Sequence, residues 1–200
     1  MSDDSPIIIV NLKAYEEGYG ADGYDLCKIM EEIALEHKVN LAAAVSAIDL
    51  VDFSDNLEIP IFAQHVDGVN YGSHTGAILP EAVRYSGAVG TLVNHAECQM
   101  TWEEIEKTIN RCKELGLSTV LCTADIESSE KGAHLNPDMI AVEPPELIGG
   151  DISVSTAKPE IISDTVEVVK KINSDISVLC GAGVKNQNDI SCLLYTSDAA

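Results

Sequence analysis

Two hundred residues, 46% hydrophobic and 22% charged, suffice for one domain with a substantial core and exclude the disordered and fibrous classes. The formal net charge of −21 comes from 33 acidic against 12 basic residues, a balance that repels nucleic acid and anionic membranes. An anionic substrate must therefore be held locally, by backbone amides, helix N-termini and one or two placed lysines. No apolar run approaches bilayer length, the first six residues are acidic rather than a basic leader, and six cysteines include no Cys-x-x-Cys pair. The reading is a cytoplasmic protein with reduced thiols, no metal site and no cofactor.

Short apolar runs bounded by turn residues recur at Ile7–Asn11, Leu41–Val45, Ile61–His65, Val89–Asn94, Ser118–Cys122, Met139–Glu143 and Ser177–Cys180, each the pattern of a buried parallel strand. Helical spacing fills the intervals. After the first run, Leu26, Ile29, Met30, Ile33 and Ala34 recur at three and four residues, and they are predicted to form the buried stripe, opposite Glu31, Glu32 and Glu36. The clearest helix starts at Thr101, where Thr-Trp-Glu-Glu forms a capping box, carries Ile105, Ile109, Cys112 and Leu115 inward, and stops at Gly116. Another opens on Pro159 with Ile162, Val166, Val169 and Ile172 on one side, and breaks at Asn173. Alternation at even spacing, without a linker or a shift in composition, indicates one α/β domain, either a doubly wound open sheet or a (β/α)8 barrel.

The polar residues cluster at the carboxyl ends of the strands. Asn11 and Lys13 follow the first, Gln64 and His65 end the third, Asn94, His95 and Glu97 end the fourth, and Glu143 ends the sixth. In a barrel these ends share one rim, so residues distant in sequence would converge on one substrate. A carboxylate, a neutral donor and a fixed cation are the groups that proton abstraction beside a carbonyl requires. The segment Pro144-Pro145-Glu146-Leu147-Ile148-Gly149-Gly150, stiff at one end and free at the other, has the composition of a lid attached directly to the carboxylate.

Asn11-Leu12-Lys13, Ala63-Gln64-His65, Gly72-Ser73-His74-Thr75-Gly76, Asn94-His95-Ala96-Glu97, Ala141-Val142-Glu143-Pro144-Pro145-Glu146-Leu147-Ile148-Gly149 and Leu179-Cys180-Gly181-Ala182-Gly183 resemble, in this order, the short archaeal-type triosephosphate isomerases. The resemblance implies a TIM barrel and the interconversion of D-glyceraldehyde 3-phosphate and dihydroxyacetone phosphate, in glycolysis and gluconeogenesis, through an enediolate. It also implies Glu143 as base, neutral His95 as the group polarising the carbonyl and Lys13 as charge stabiliser, roles the handling of paired acids and bases makes physically coherent. Asn11 would help hold the substrate oxygens, Glu97 would support the group from behind, and the phosphate would rest on Ile148, Gly149 and Gly150 of the lid and on Gly181, Ala182 and Gly183. The loop from Gly72 to Gly76 is similar to the family's subunit-contact loop, which implies a homodimer or homotetramer.

The sequence departs from the family pattern in three places. Asp151 stands where a glycine commonly closes a Gly-Thr-Gly lid, and Ala96 replaces a serine. Residues 192–200, Cys192-Leu193-Leu194-Tyr195-Thr196-Ser197-Asp198-Ala199-Ala200, read as the translation of a transposase sequencing adapter. On that reading the chain is a barrel domain over 1–191, with about seven βα units and without the eighth strand and final helix, and a non-native tail over 192–200. Two rivals remain at this level. Another phosphate-binding (β/α)8 enzyme would not explain the Glu-Pro-Pro lid or the Asn-x-Lys pair, and a catalytically silent subunit would not explain the joint presence of Lys13, His95 and Glu143.

Overall fold

The computed structural model describes residues 6–145, 159–184 and 186–196. Among the described residues seven strands alternate with helices: β1 Ile7–Asn11, β2 Asn40–Val45, β3 Ile61–Ala63, β4 Gly90–Val93, β5 Ser118–Thr123, β6 Met139–Val142 and β7 Ser177–Cys180. The α-helices are α1 Gly20–His37, α2 Leu50–Asn56, α3 Pro80–Tyr85, α4 Trp102–Leu115, α5 Ile126–Ala133, α6 Pro159–Ile172 and α7 Gln187–Thr196. The chain forms two compact units, Met1–Val93 with Met100–Thr119, and Asn94–Gln99 with Val120–Ala200.

In the first unit β1, β2, β3 and β4 lie in that order and pair in parallel, with Ile7 opposite Asn40, Ala43 opposite Ile61 and Phe62 opposite Gly90. Parallel neighbours require crossovers, and the helices supply them. The middle strands are buried on both faces, Ala42 to Val45 and Ile61 to Ala63 being at most 2% exposed, which is why they read as continuous apolar runs rather than alternating ones. Phe53 of α2 is fully buried, with Tyr24 of α1 set edge-on against it at 5.8 Å and 78°. Helix α4 follows its local signals closely. The Thr101 hydroxyl accepts the Glu104 N–H at 3.3 Å, the Glu104 carboxylate accepts the Thr101 N–H at 2.7 Å, and Gly116 closes the helix at φ 68°.

Helix α1 corrects one expectation. Its buried face is Gly23, Cys27, Met30 and Glu31, whereas Leu26, Ile29 and Ile33 are 37%, 54% and 42% exposed. The helix is turned by less than one residue step of roughly 100° from the predicted stripe, so that Met30 stays buried and Ala34 stays packed against the core as expected while Glu31 replaces the other members. Two contacts set this rotation. Gly23 packs so closely that a Cβ there would stand 2.8 Å from the Gly18 carbonyl carbon and 3.4 Å from the Phe53 ring. Glu31 reaches across to accept the Glu58 N–H and pairs with Lys28, which together hold its carboxyl below the usual carboxylate range, the Lys28 bond contributing most. A carboxylate with these two partners is accommodated in the interior where an unpaired one would not be.

In the second unit β5, β6 and β7 are parallel, with Val120 opposite Met139 and Met139 opposite Ser177. Helices α5 and α6 pack together, and α6 directs Ile162, Thr165 and Val169 inward, all at most 1% exposed. Val166 and Ile172 are only half-buried, so the buried stripe is narrower than the apolar pattern. Thr165 is accommodated because its hydroxyl donates to the Ile161 carbonyl at 2.7 Å. All seven strands lie where the sequence places them, except that β3, β4 and β6 end before Gln64, Asn94 and Glu143, the polar residues predicted to close them. Gln64, His65 and Glu143 stand just beyond the ladder, where side chains are released for other contacts.

Candidate active site

The predicted site residues fall in both units. Asn11, Lys13 and Gln64 belong to the first, and His95, Glu97, Glu143 and Gly181 to Gly183 to the second. In the first unit Leu12 continues the β1 ladder by donating its N–H to the Ala44 carbonyl at 3.0 Å, and is 4% exposed. The chain then turns at Lys13, which has φ 51°, a left-handed conformation uncommon for a residue with a side chain. Its N–H donates to Asn11 Oδ1 at 3.0 Å, and its carbonyl accepts from Gln64 Nε2 at 2.9 Å.

In the second unit Asn94, at φ 60°, directs the chain out of β4, and its side-chain amide donates to the Cys122 carbonyl at 3.0 Å. His95 follows, with a side chain 13% exposed. The Glu97 N–H donates to His95 Nδ1 at 3.1 Å, so in the neutral ring the proton belongs on Nε2. The Glu97 carboxylate also lies 3.8 Å from Nδ1. An ionised carboxylate could only accept from a protonated Nδ1, and the shorter, directed N–H donated to that nitrogen decides for the tautomer without one.

Glu143 is 6% exposed, one residue past β6, with its N–H held by the Thr123 carbonyl at 2.7 Å. Its Oε1 stands 3.6 Å from His95 Nε2, and Oε2 accepts the Ala96 N–H at 3.3 Å. The Cys122 thiol of β5 hydrogen-bonds the same carboxylate. Burial first, then the Glu143 charge and this bond, push that thiol well above its ordinary range. On the opposite side Gly181 leaves the space the carboxylate stem occupies, since a Cβ there would lie 2.5 Å from Glu143 Cγ and 3.2 Å from Oε1.

A family model described as "Triosephosphate isomerase" matches residues 6–197. The chain is 47% identical over 188 residues to the triosephosphate isomerase of Methanocaldococcus jannaschii, covering 94% of this chain and 86% of that protein. It is 48% identical over 187 residues to that of Methanothermobacter thermautotrophicus, covering 94% and 82%, and 43% identical over 183 residues to that of Archaeoglobus fulgidus, covering 92% and 82%. The chain belongs to the triosephosphate isomerase family. It is an isomerase, and its reaction is that of the family, the interconversion of the triose phosphates glyceraldehyde 3-phosphate and dihydroxyacetone phosphate. Its strands and helices are those of the TIM fold, and the described residues hold seven of the eight strands of a full (β/α)8 barrel.

Within this triosephosphate isomerase family member the structure brings His95 and Glu143 together, although 47 positions separate Ala96 from Glu143 in the chain. Asn11 meets Lys13 through the Lys13 N–H, which engages the Asn11 amide oxygen. Gly181 donates its N–H to the Val142 carbonyl at 2.8 Å and leaves room for Glu143. Gly183 has φ 79°, a conformation that favours glycine, and the Ala182 carbonyl accepts from the Cys180 thiol at 3.1 Å. Ile148, Gly149, Gly150 and Asp151 lie outside the described residues, as does the lid from Glu146 onward. Cys122 was not among the sequence-predicted residues, and its signal was present only as place, near the end of β5 and beside the strand that Glu143 follows; Gln64 was visible as a polar strand-end residue in a family motif, but its contact with Lys13 was not.

Among the described residues no group of three or more His, Cys, Asp or Glu side chains is arranged to hold a metal ion, and no helix is long and apolar enough to cross a membrane.

Proposed function

We propose that Glu143 is the base that moves the proton between the two substrate carbons, that His95 donates from Nε2–H to the carbonyl oxygen, and that Lys13 offsets the negative charge of the enediolate. The observation that carries this reading is the buried pair. A carboxylate that is 6% exposed lies 3.6 Å from the protonated nitrogen of an imidazole whose other nitrogen is occupied by the Glu97 N–H. A neutral imidazole donates a hydrogen bond without carrying the charge that would pair off with the base. Asn11 supports the substrate oxygens through the turn it shares with Lys13, and Glu97 fixes the ring from behind. Backbone N–H groups of Ile148, Gly149, Gly150, Ala182 and Gly183 hold the phosphate, the means by which a chain of net charge −21 accommodates a dianion.

The partner is a second copy of the chain, as a homodimer or homotetramer, and the Gly72 to Gly76 loop supports this because every one of its residues is exposed. The family's place in glycolysis and gluconeogenesis supports a cytoplasmic location. A coupled assay of triose phosphate interconversion on the full chain and on Glu143→Gln and His95→Gln tests the roles. The expected result is activity in the full chain and a fall in kcat of at least 100-fold in each variant, in line with general acid–base catalysis. Retention of kcat by Glu143→Gln sinks the assignment of the base.

A further inference from the structure

We propose that Gln64 is a positioning residue for Lys13, holding the lysine in the left-handed turn from which it serves the reaction. This rests on the reading of Lys13 as the site cation. Lys13 stands beyond the last β1 residue, Asn11, with φ 51°, and nothing in its side chain favours that conformation, as an asparagine or a glycine would. Both polar groups of its backbone are instead held by side chains. Asn11 Oδ1 takes the N–H at 3.0 Å, and Gln64 Nε2 gives to the carbonyl at 2.9 Å. The Asn11 contact comes from the end of β1, opposite Ala44, and engages the N–H alone, leaving the carbonyl side of the turn to Gln64. Gln64 is 51 positions away and is itself anchored. Its second side-chain contact runs to the Ala44 carbonyl at 3.3 Å, and its own N–H donates to the Val45 carbonyl at 3.1 Å. The side-chain amide thus ties the turn after β1 to the end of β2, from a base just past β3.

The chemistry of the tie is specific. The amide nitrogen gives two hydrogens to two carbonyl oxygens, a task for which glutamine has the donors and glutamate, when ionised, has none. The tie predicts a form of damage distinct from general unfolding, because displacement of a charge-stabilising group by about 1 Å costs on the order of 100-fold in rate without loss of the fold.

The experiment uses the full chain with Gln64→Met and Gln64→Glu. The methionine keeps the length and removes both donors. Its kcat is expected to fall 10- to 100-fold, with the larger share in kcat rather than KM, and hydrogen exchange at the Lys13 N–H is expected to accelerate at least tenfold while the exchange of β2 and β3 amides is unchanged. For Gln64→Glu, the ratio of its kcat to that of the parent is expected to rise as pH falls from 8 to 5.5, because the introduced carboxyl regains a donor when protonated. A kcat within threefold of the parent for Gln64→Met, unchanged exchange at Lys13, or a pH-independent ratio for Gln64→Glu overturns the proposal. Full activity of Lys13→Met overturns instead the role given to Lys13, and the exchange measurement separates the two failures.

Discussion

Replacing Gly181 by alanine tests how closely Glu143 is confined. The added methyl would stand 2.5 Å from Glu143 Cγ and 3.2 Å from both Oε1 and the Val142 carbonyl oxygen. Carbon atoms pack at roughly 3.5–4.0 Å, so the carboxylate stem must retreat by about 1 Å. Gly181 itself has little freedom to yield, because its N–H is committed to Val142 at 2.8 Å. Its φ lies outside the left-handed region, so the backbone accepts alanine without strain and the cost comes from crowding alone. Overpacking typically costs about 1–3 kcal/mol. The smaller entropy of the alanine chain when unfolded returns about 0.4–1 kcal/mol. The expected variant is folded, with a modestly lower Tm, and a displaced Glu143 carboxylate. A misplacement of that size lowers kcat by about 100-fold. Steady-state kinetics at saturating substrate, with Tm measured on the same preparation, read both quantities. A kcat within threefold of the parent in a folded variant refutes the reasoning, since the reaction would then tolerate a shift of Glu143 that the geometry says it must make.

Alkylation at pH 8 followed by mass spectrometry is expected to modify Cys98, which is exposed, and to spare Cys27, Cys112 and Cys122, which are buried, until the chain is denatured. Burial pushes the Cys27 thiol up to about 11 and Cys122 well above its ordinary range, so rapid labelling of either in the native state contradicts the packing. Glu31→Gln is expected to lower stability at pH 7 by about 1–2 kcal/mol, the scale of a hydrogen-bonded carboxylate. The folded carboxyl is held below its ordinary value of 4.5, so this contribution is complete above that value and disappears as pH falls through the lowered one. Chemical denaturation from pH 7 to pH 3 should show the gap between parent and variant closing, and a constant gap argues against the ionic partner. Ile29→Gln is expected to change stability by less than about 0.5 kcal/mol, because Ile29 is 54% exposed. A large loss would restore the stripe first read from the sequence.

The elements written in the sequence are those whose causes are local. Thr101 and Glu104 stand three residues apart and cap α4 by themselves, and Ala42 to Val45 need only their own apolarity to announce a strand buried on both faces. The rotation of α1 was not legible, because the helix carries two apolar faces. The choice between them rests on Gly23 against Gly18 and Phe53, and on Glu31 against the Glu58 N–H, contacts made only once the chain has folded. The candidate site divides in the same way. Lys13, His95 and Glu143 were visible as polar residues at strand ends and through their family motifs. The tautomer of His95, the Cys122 bond to Glu143, the space over Gly181 and the Gln64 tie to Lys13 were not, since each depends on distance between separate strands rather than on residue type.

The hydrogen bond that orients His95 comes from the main chain of Glu97. Every amino acid except proline brings the same N–H, so this bond to the imidazole depends on the backbone path and not on the residue type at position 97. Proline at position 97 should therefore remove this bond, whereas any other substitution keeps it. Part of what governs this reaction is thus inherited as backbone path, and it leaves little trace in the letters of the sequence.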